Sequence, residues 1–215
     1  MDGNCYANES KFFMEEFIND LRELSPSERA LVVGPPALML EAANAVQSCG
    51  GLALPHSSLF LTIGGWKRAK CEIPSRDEFR RHVIQGFGIL DAGRVRDSYN
   101  MVELNSVLFE CEAHQMHCPP WLFIDARDPC TLEPTTPGNP GVLAFLDPTP
   151  TSYPGFILAD DFGNVVRNYI CPCGRITDVL QLERRINRVE SRGCALKIDV
   201  QRSVVNAIKS RHETD

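Results

Sequence analysis

VRDSYNMVELNSVLFECEAHQMHCPP, residues 95–120, is the stretch that decides how the rest of the chain is interpreted. It contains Tyr99 with Glu103 four residues later, and Cys111 with His117 six residues later. Further side chains of metal-ligand type lie between them, so potential ligands are concentrated in one short run. We expect the residues before this stretch to form a scaffold that presents it, and the residues after it to supply partners.

Upstream of this stretch, apolar patterns of helical and strand type alternate. They predict helices at 10–24, at 37–49 and from 75 to about 85, and strands at 30–33, 59–63 and 95–100. Such alternation is typical of a parallel sheet covered by helices, whose ligands bind beyond the carboxyl ends of the strands. Gly64–Gly65 and residues 99–103 both follow strands, so we expect them to be neighbours.

Downstream of residue 119 the composition changes: proline and glycine become frequent, and the apolar residues form the short runs WLFI, GVLAFL and PGFIL. These runs predict short antiparallel strands. Residues 161–164 (DFGN) predict a turn before a strand at 165–170. Residues 176–191 predict a charged helix or a strand–helix mix, followed by a strand at 195–200 and a short helix at 204–210.

The predicted fold is therefore α/β, with a partial parallel sheet and its helices over about residues 10–118. A small antiparallel β-rich subdomain follows. The expected divisions are 1–118, 119–190 and a C-terminal remnant at 191–215.

The composition is that of a globular protein, with 43% hydrophobic and 23% charged residues. A net charge of −6 and the lack of a basic run argue against a nucleic-acid partner. No segment approaches the ~20 apolar residues of a membrane span, and the first residues lack the pattern of a signal peptide. We predict a cytoplasmic protein whose nine cysteines are thiols. A few of them would bind metal or react, and the others would fill the core.

Four soft or borderline ligands in two clusters suit tetrahedral zinc: Cys111, His117, Cys171 and Cys173. Cys-Pro-Cys-Gly is a tight thiolate pair on a turn, where the glycine relieves the backbone. Four protein ligands would make the zinc structural. His114 and Cys118 are rival ligands, and the alternative is that these cysteines are buried thiols without metal.

Six motifs follow one another in an order typical of one enzyme group. They are GGWK (64–67), SYNMVEL (98–104), FECEAHQMHCPPW (109–121), a series from DP through TLEP to PGNPGVLAFLD (128–147), PGFILADDFGNV (154–165) and CPCGR (171–175). Over about residues 30–196 the chain resembles the acyl-protein synthetases of bacterial luminescence and the related phenylacetate–CoA ligase-like enzymes. Both belong to the adenylate-forming superfamily, and the match is to its C-terminal half. The resemblance implies that ATP activates a carboxylate as an acyl-adenylate, and that the acyl group then passes to a thiol.

This resemblance implies a pocket for the adenine base. Tyr99 matches the aromatic residue whose ring packs on adenine, and Asn100 and Met101 follow it in the same motif. Gly64 and Gly65 match the small residues on the other side, where the lack of a Cβ lets the backbone approach the base. The alternatives are a core tyrosine and a plain turn.

The resemblance also implies residues for the phosphate and the ribose. Glu103 matches the acid that coordinates Mg²⁺, a hard ion that prefers oxygen ligands, although Val102 replaces the motif's threonine. Asp161 matches the carboxylate that accepts hydrogen bonds from the ribose hydroxyls, with Asp160 as the fallback. Arg185 matches the arginine that reaches the ribose. The alternatives for Glu103 and Arg185 are solvated surface charges.

Two parts of the family pattern are not found in the sequence: the Ser/Thr/Gly-rich phosphate loop and the C-terminal domain with its lysine. Cys194 matches by position the cysteine that carries the acyl group in luminescence synthetases, and the alternative is a core cysteine. We predict carboxylate activation by a truncated or split half that a partner chain completes. Its cofactors would be ATP or AMP, Mg²⁺ and a structural Zn²⁺, and its substrate a carboxylic acid or acyl group. The other hypotheses are a catalytically inactive, zinc-stabilised binding module and a scaffold that self-associates as a homo-oligomer.

Overall fold

The computed structural model describes residues 3–7, 12–66, 73–152 and 154–185. They fall into two compact units. The first unit comprises the chain up to Asn100 together with Val107–His114, and the second comprises Met101–Ser106 together with the chain from Gln115 onward. The strand and helix predicted at 195–200 and 204–210, and the remnant at 191–215, lie outside the described residues.

The first unit is of the predicted α/β type. Its elements in chain order are α1 (Met14–Arg22), β1 (Leu31–Gly34), α2 (Pro36–Ser48), β2 (Leu59–Thr62), α3 (Arg76–Phe87), β3 (Val95–Tyr99) and β4 (Leu108–Glu110). Strands β1, β2 and β3 are parallel neighbours in that order, and β4 pairs antiparallel with β3. The three predicted helices and three predicted parallel strands are thus confirmed. Strand β4 was not predicted, because three residues give no readable period.

The ends of the helices follow local sequence signals. The Ser75 side chain accepts a hydrogen bond from the Glu78 backbone N–H, and the Glu78 carboxylate accepts one from the Ser75 N–H, which is the predicted capping box of α3. Gly88 ends the same helix in the left-handed region, at φ +65°. A Cβ on Gly88 would lie 2.2 Å from the Leu52 backbone oxygen, so only glycine fits there.

The core of the first unit lies on one face of its sheet. Phe60 of β2 and Val95 of β3 pack with buried side chains of all three helices. Helices α2 and α3 approach closely at Gly86, where an added Cβ would lie 2.7 Å from the Ala43 backbone oxygen. Apolar burial of this kind contributes roughly 25 cal/mol per Å², so the helices are held on this face.

The second unit is an antiparallel sheet, as predicted. Its strands are β5 (Met116–His117), β6 (Phe123–Arg127), β7 (Gly141–Leu146), β8 (Phe156–Ile170) and β9 (Ile176–Arg185). Their order across the sheet is β5, β9, β8, β7 and β6. The three short apolar runs each contribute to a strand, β6, β7 and β8 respectively.

Residues 161–164 do not form the predicted turn. They lie inside β8, which is continuous over Phe156–Ile170. A Cβ on Gly163 would lie 2.3 Å from the backbone oxygen of Gln181 in β9, and the register between the two strands shifts from Phe162 to Gly163. The glycine therefore marks a bulge where the neighbouring strand comes close, and not a reversal of the chain.

Of residues 176–191, predicted as a charged helix or strand–helix mix, Ile176–Arg185 form the strand β9, and 186–191 lie outside the described residues. Strand β9 pairs with β8 on one side and with β5 on the other. The β8 pairing satisfies backbone groups along one edge of β9, and β5 pairs with Val179 and Leu180 on the other edge. This pairing offsets a charged composition that suggested a helix. The helices in the described part of the chain include none that is long and apolar enough to cross a bilayer.

Candidate functional site

Four of the predicted metal ligands come together. Cys111 follows β4, His117 ends β5, and Cys171 and Cys173 lie in the turn between β8 and β9. Their ligand atoms all lie within 4.8 Å of one another. Cys111, Cys171 and His117 are buried, with 1%, 4% and 9% of their surface exposed, and Cys173 is half-buried. Three thiols and one imidazole at such spacing form a donor set that fits tetrahedral zinc.

The turn that carries the two cysteines is closed by its own backbone. The Gly174 N–H donates to the Cys171 carbonyl, and the Cys171 N–H donates to the Arg175 carbonyl, each at 2.9 Å. Gly174 has φ +88°, a left-handed conformation that a side chain would disfavour. This is the pattern of a three-residue hairpin loop ending in a glycine bulge. The prediction that glycine relieves the backbone here is confirmed.

The imidazole of His117 is oriented by hydrogen bonding. Its Nε2 lies 3.4 Å from the Cys173 sulfur, and its Nδ1 lies 2.5 Å from the Thr177 hydroxyl oxygen. A ligating histidine commonly uses its second ring nitrogen for such an orienting bond. Thr177 thus turns Nε2 toward the thiols, and it is a supporting residue that the sequence did not single out.

The two rival ligands lie outside this group of four. The His114 Nδ1 lies 3.7 Å from Oε2 of Glu110, and burial together with the Arg80 charge lowers the pKa of the imidazole. The Cys118 thiol is buried, and burial raises its pKa to about 12.

The strand-end residues of the first unit lie as the parallel sheet predicts. Thr62 of β2 pairs with Asp97 of β3, so Gly64 and Tyr99, two residues further on, follow at the same edge. The expectation is confirmed for Gly64 and Tyr99, and for residues 101–103, which belong to the second unit, it stays a prediction. Tyr99 is buried, whereas Gly64, Gly65 and Asn100 are exposed. Gly64 has φ +78°, and a Cβ on either glycine would meet no atom within 4 Å.

The remaining predicted residues belong to the second unit. Met101 accepts a backbone hydrogen bond from Leu104 that closes a turn, and Glu103 in this turn is exposed. Asp161 of β8 is buried and stands opposite Arg185 of β9 in the strand register. Asp160 is half-buried and, as the adjacent strand residue, faces the other side of the sheet. The predicted acyl-carrying Cys194 lies outside the described residues.

A buried charge network in the first unit was not predicted from the sequence. Nη2 of Arg80 in α3 donates to both carboxylate oxygens of Glu110 in β4, at 3.1 and 3.0 Å. The Asp97 N–H donates to the same Glu110 carboxylate at 2.8 Å, and the Thr62 hydroxyl donates to the Asp97 carboxylate. Glu110 stands between Phe109 and Cys111, and Asp97 lies two residues from both Val95 and Tyr99 in a strand, and this is the sequence signal that could have indicated buried acids.

In this network the Asp97 carboxylate accepts hydrogen bonds from neutral groups, the Thr62 hydroxyl and the Ser98 N–H, while the Arg76 charge has a smaller, pKa-lowering effect on it. Burial raises the pKa of Asp97, and the nearby Glu110 charge adds to the increase, although the Thr62 hydrogen bond opposes it. Glu110 has Arg80 as its ion-pair partner. The network therefore joins helix α3 to strands β3 and β4 just before the strand end at Tyr99.

Asp147 is a second buried acid that was missed. It is fully buried and accepts hydrogen bonds from the Ser106 N–H at 3.1 Å, the Thr149 N–H at 3.0 Å and the Thr149 hydroxyl at 2.6 Å. Burial tends to raise the pKa of Asp147, but the bonds from Thr149 and Ser106 outweigh it and lower the pKa. Trp121 Nε1 donates to the Ser106 hydroxyl at 3.0 Å. These contacts hold the turn that carries Glu103 within the second unit.

Comparison with known proteins gives one family and two curated relatives. The model of the family described as acyl-protein synthetase, LuxE, matches residues 6–202. A long-chain-fatty-acid–luciferin-component ligase of Aliivibrio fischeri is 36% identical over 138 residues, which are 64% of this chain and 36% of that protein. The ligase of the same name from Vibrio harveyi is 29% identical over 194 residues, 89% of this chain and 50% of that protein. The chain thus spans at most about half the length of these relatives.

Solved structures share the fold at lower identity. A 2-hydroxyisobutyryl-CoA ligase in an open conformation, in complex with 2-HIB-AMP and CoA, superposes with a TM-score of 0.64 at 16% identity, over 87% of this chain and 40% of that one. ATP-bound MatB from Rhodopseudomonas palustris gives a TM-score of 0.53 at 14% identity, over 81% of this chain and 33% of that one.

Proposed function

Because the chain belongs to the acyl-protein synthetase LuxE family, we propose that it takes part in ATP-dependent activation of a carboxylic acid. The acyl group would be joined to AMP and then passed to a thiol. The observation that carries this proposal is the family match over residues 6–202. The shared fold with ligases solved with ATP or an acyl-AMP adduct supports it.

The proposed carboxylate is a long-chain fatty acid, since the two curated relatives are named as ligases of such acids. Because the chain spans 36% and 50% of their lengths, we propose that it acts together with a polypeptide that supplies the phosphate-binding residues. Cys194 is the proposed acyl acceptor.

The proposed nucleotide site uses the strand ends. Gly64 and Gly65 would line one side of the base, with Tyr99, Asn100 and Met101 on the other. The common edge of β2 and β3 supports this, since ligands of parallel sheets bind beyond the carboxyl ends of the strands. Glu103 would hold Mg²⁺ by its exposed carboxylate. Asp161 and Arg185 would bind the ribose, and their opposite positions on β8 and β9 support a shared role.

The test is calorimetric binding of a long-chain acyl-adenylate analogue to the full chain, with Asp161→Asn and Asp160→Asn compared. Loss of a charge-assisted bidentate contact costs about 2 kcal/mol, so Asp161→Asn is expected to weaken binding about 30-fold. Asp160→Asn is the matched control, because the neighbouring carboxylate faces the other side of the sheet. Equal affinities of wild type and Asp161→Asn, or a loss only in Asp160→Asn, would refute the assignment.

We further propose that Cys111, His117, Cys171 and Cys173 hold a structural Zn²⁺. When bound, the ion would cross-link the β8–β9 turn to the segment around β5, and four protein ligands would leave it no open position for catalysis. The donor set, its burial and the Thr177 bond to His117 support the proposal.

Metal analysis of the purified chain tests this. We expect about one zinc per chain, lost in Cys173→Ser and retained in Cys118→Ser, which changes a buried cysteine outside the group. The proposal would be contradicted by a wild-type chain that melts at the same temperature with and without metal. Equal zinc content in the two variants would also contradict it.

A zinc-stabilised binding module without catalytic activity is the second candidate. The observation that favours it is a contrast between the metal site and the nucleotide site. The four thiol and imidazole ligand atoms lie within 4.8 Å of one another. In the nucleotide site, by contrast, Val102 replaces the hydroxyl residue of the phosphate-contacting motif. Zinc in the purified chain together with no binding of the acyl-adenylate analogue would select this candidate.

A further inference from the structure

The Asp147 carboxylate connects two segments of the second unit. Its Oδ1 accepts hydrogen bonds from the Thr149 N–H and hydroxyl, and its Oδ2 accepts one from the Ser106 N–H. The bonds from Thr149 close a local turn, whereas Ser106 lies 41 residues away in the chain. Because an ionised carboxylate has two acceptor oxygens and an amide has only one, an acid suits this two-sided position.

The backbone of Asp147 is fixed where strand β7 ends. The Asp147 N–H donates to the Gly155 carbonyl at 2.7 Å, and a Cβ on Gly155 would lie 2.1 Å from the Asp147 backbone oxygen. The chain after β7 is thus held closely against the residue before β8, and Asp147 is fully buried. A buried carboxylate on such a base has few alternative positions.

Glu103 lies on a turn that is anchored by the bond to Asp147. Leu104 is only 4% exposed, and its N–H closes the turn by a backbone hydrogen bond of 3.0 Å. Ser106 is also buried, and its hydroxyl accepts from Trp121 Nε1 at 3.0 Å while its N–H bonds to Asp147. The exposed Glu103 is therefore followed directly by a segment that is held in the second unit.

The exposed carboxylate of Glu103 fits a magnesium ion that is shared with a bound nucleotide. Proteins usually hold Mg²⁺ by one or two carboxylates together with phosphate oxygens of the substrate. Hydrogen-bond partners that orient a metal ligand commonly change the metal affinity roughly 10- to 100-fold. We propose that Asp147 is a positioning residue for Glu103: by binding the Ser106 N–H, it fixes the turn from which Glu103 holds Mg²⁺. This inference rests on the proposed function, in which Glu103 is the Mg²⁺ ligand.

The experiment titrates Mg²⁺ calorimetrically into the full chain saturated with a long-chain acyl-adenylate analogue, and the affinity for the analogue is measured separately in EDTA. Asp147→Ala is expected to weaken Mg²⁺ binding about tenfold and to leave the affinity for the analogue in EDTA unchanged. Thr149→Val is the matched control, because it removes a hydrogen bond from the same carboxylate but leaves the bond from Ser106. This control is expected to bind Mg²⁺ like wild type.

A second variant, Asp147→Ser, keeps the test decisive if Asp147→Ala does not fold. A serine hydroxyl can accept from the Thr149 N–H in the local turn, but its single oxygen cannot also hold Ser106. Asp147→Ser should therefore weaken Mg²⁺ binding about tenfold as well. Amide exchange in the ligand-free chain gives a readout that needs no nucleotide: exchange of the Leu104 N–H should rise about tenfold in Asp147→Ser, while strand β8 exchanges as in wild type.

Equal Mg²⁺ affinity of wild type and the Asp147 variants would overturn the proposal, and so would unchanged exchange of the Leu104 N–H. An equal loss of affinity for Mg²⁺ and for the analogue in EDTA would also overturn it, because the role of Asp147 would then be purely structural. Glu103→Gln separates this inference from its premise. If Glu103→Gln loses Mg²⁺ but the Asp147 variants keep it, the proposed function stands and only this inference fails. If Glu103→Gln binds Mg²⁺ like wild type, or if wild type binds no analogue, the proposed nucleotide site fails and this inference fails with it.

Discussion

Replacing Asp147 by alanine is expected to lower the free energy of unfolding of the second unit by about 3 kcal/mol. The Asp147 carboxylate is fully buried and accepts three hydrogen bonds, two from Thr149 and one from the Ser106 N–H. Ser106 is buried, so its orphaned N–H would cost about 2 kcal/mol. Thr149 is exposed and can turn to water, so its two donors would add about 1 kcal/mol together.

The assay is urea unfolding followed by tryptophan fluorescence. The chain has two tryptophans, and a Trp66→Phe background leaves Trp121, whose Nε1 bonds the Ser106 hydroxyl. Fluorescence then reports on the second unit next to the perturbed contact. Asp128→Ala is the matched control, because the Asp128 carboxylate also accepts from two backbone N–H groups, those of Cys130 and Thr131. Its turn lies at the surface, and we expect a loss of about 1 kcal/mol.

The pH dependence gives an independent check. Asp147 has a lowered pKa in the folded chain, so its contribution is present above the unfolded pKa of about 4 and is lost as the pH falls through the folded pKa. The stability gap between wild type and Asp147→Asn should therefore close below about pH 4. A loss in Asp147→Ala no larger than that in Asp128→Ala, or a gap that is independent of pH, would refute the reasoning.

Three further outcomes are expected in the first unit. Gly86→Ala should destabilise the chain by more than about 1 kcal/mol despite the better helix propensity of alanine, because the new Cβ would lie 2.7 Å from the Ala43 backbone oxygen. Thermal melting checks this, and a higher melting temperature of the variant would contradict it. Asp97→Asn should stabilise the chain at pH 7 and leave its stability unaffected at pH 3, because the raised pKa of Asp97 makes the charged form costly in the folded chain. Thermal melting at the two pH values checks this, and a lower stability of the variant at pH 7 would count against it. Glu110→Gln should cost about 3 kcal/mol, since it removes the buried ion pair of Arg80 and leaves it only the exposed Asp77 carboxylate at 3.5 Å. A change below about 1 kcal/mol in urea titration would be inconsistent with this expectation.

The elements of the first unit were predictable because their signals are local. The Ser75–Glu78 capping box lies within four residues, and Gly50 and Gly51 follow α2 with positive φ values of 93° and 82°. An apolar run bounded by such signals predicts a helix or strand without knowledge of any neighbour. The order of strands and helices then suffices for the fold class.

The second unit contains the wrong predictions because its decisive contacts are distant in sequence. Gly163 looks like part of a turn until Gln181 is seen 2.3 Å from its missing Cβ. β9 looks like a helix until β5 and β8 are seen on its two sides. Nothing within a short window distinguishes a glycine at a bulge from a glycine at a turn.

The candidate site likewise contains some residues that the sequence identifies and others that only the structure identifies. The metal-ligand types of Cys111, His117, Cys171 and Cys173 identify them as a group by chemistry alone, and the structure brings them together. The Thr177 contact to His117 and the Asp147 contact to Ser106 join residues whose types are common on any surface. Only the folded chain distinguishes them.

The pairing of strand β5 has a consequence for when the four metal-ligand residues come together during synthesis of the chain. Its two residues, Met116 and His117, pair with Leu180 and Val179 of β9. A two-residue strand has no stability of its own, so this region stays open while the ribosome synthesises the intervening chain. During that interval Cys111 and His117 are available to solvent before Cys171 and Cys173 exist. An ion captured early would have only half of its ligands, and the full set of four arises only when the β8–β9 hairpin leaves the ribosome.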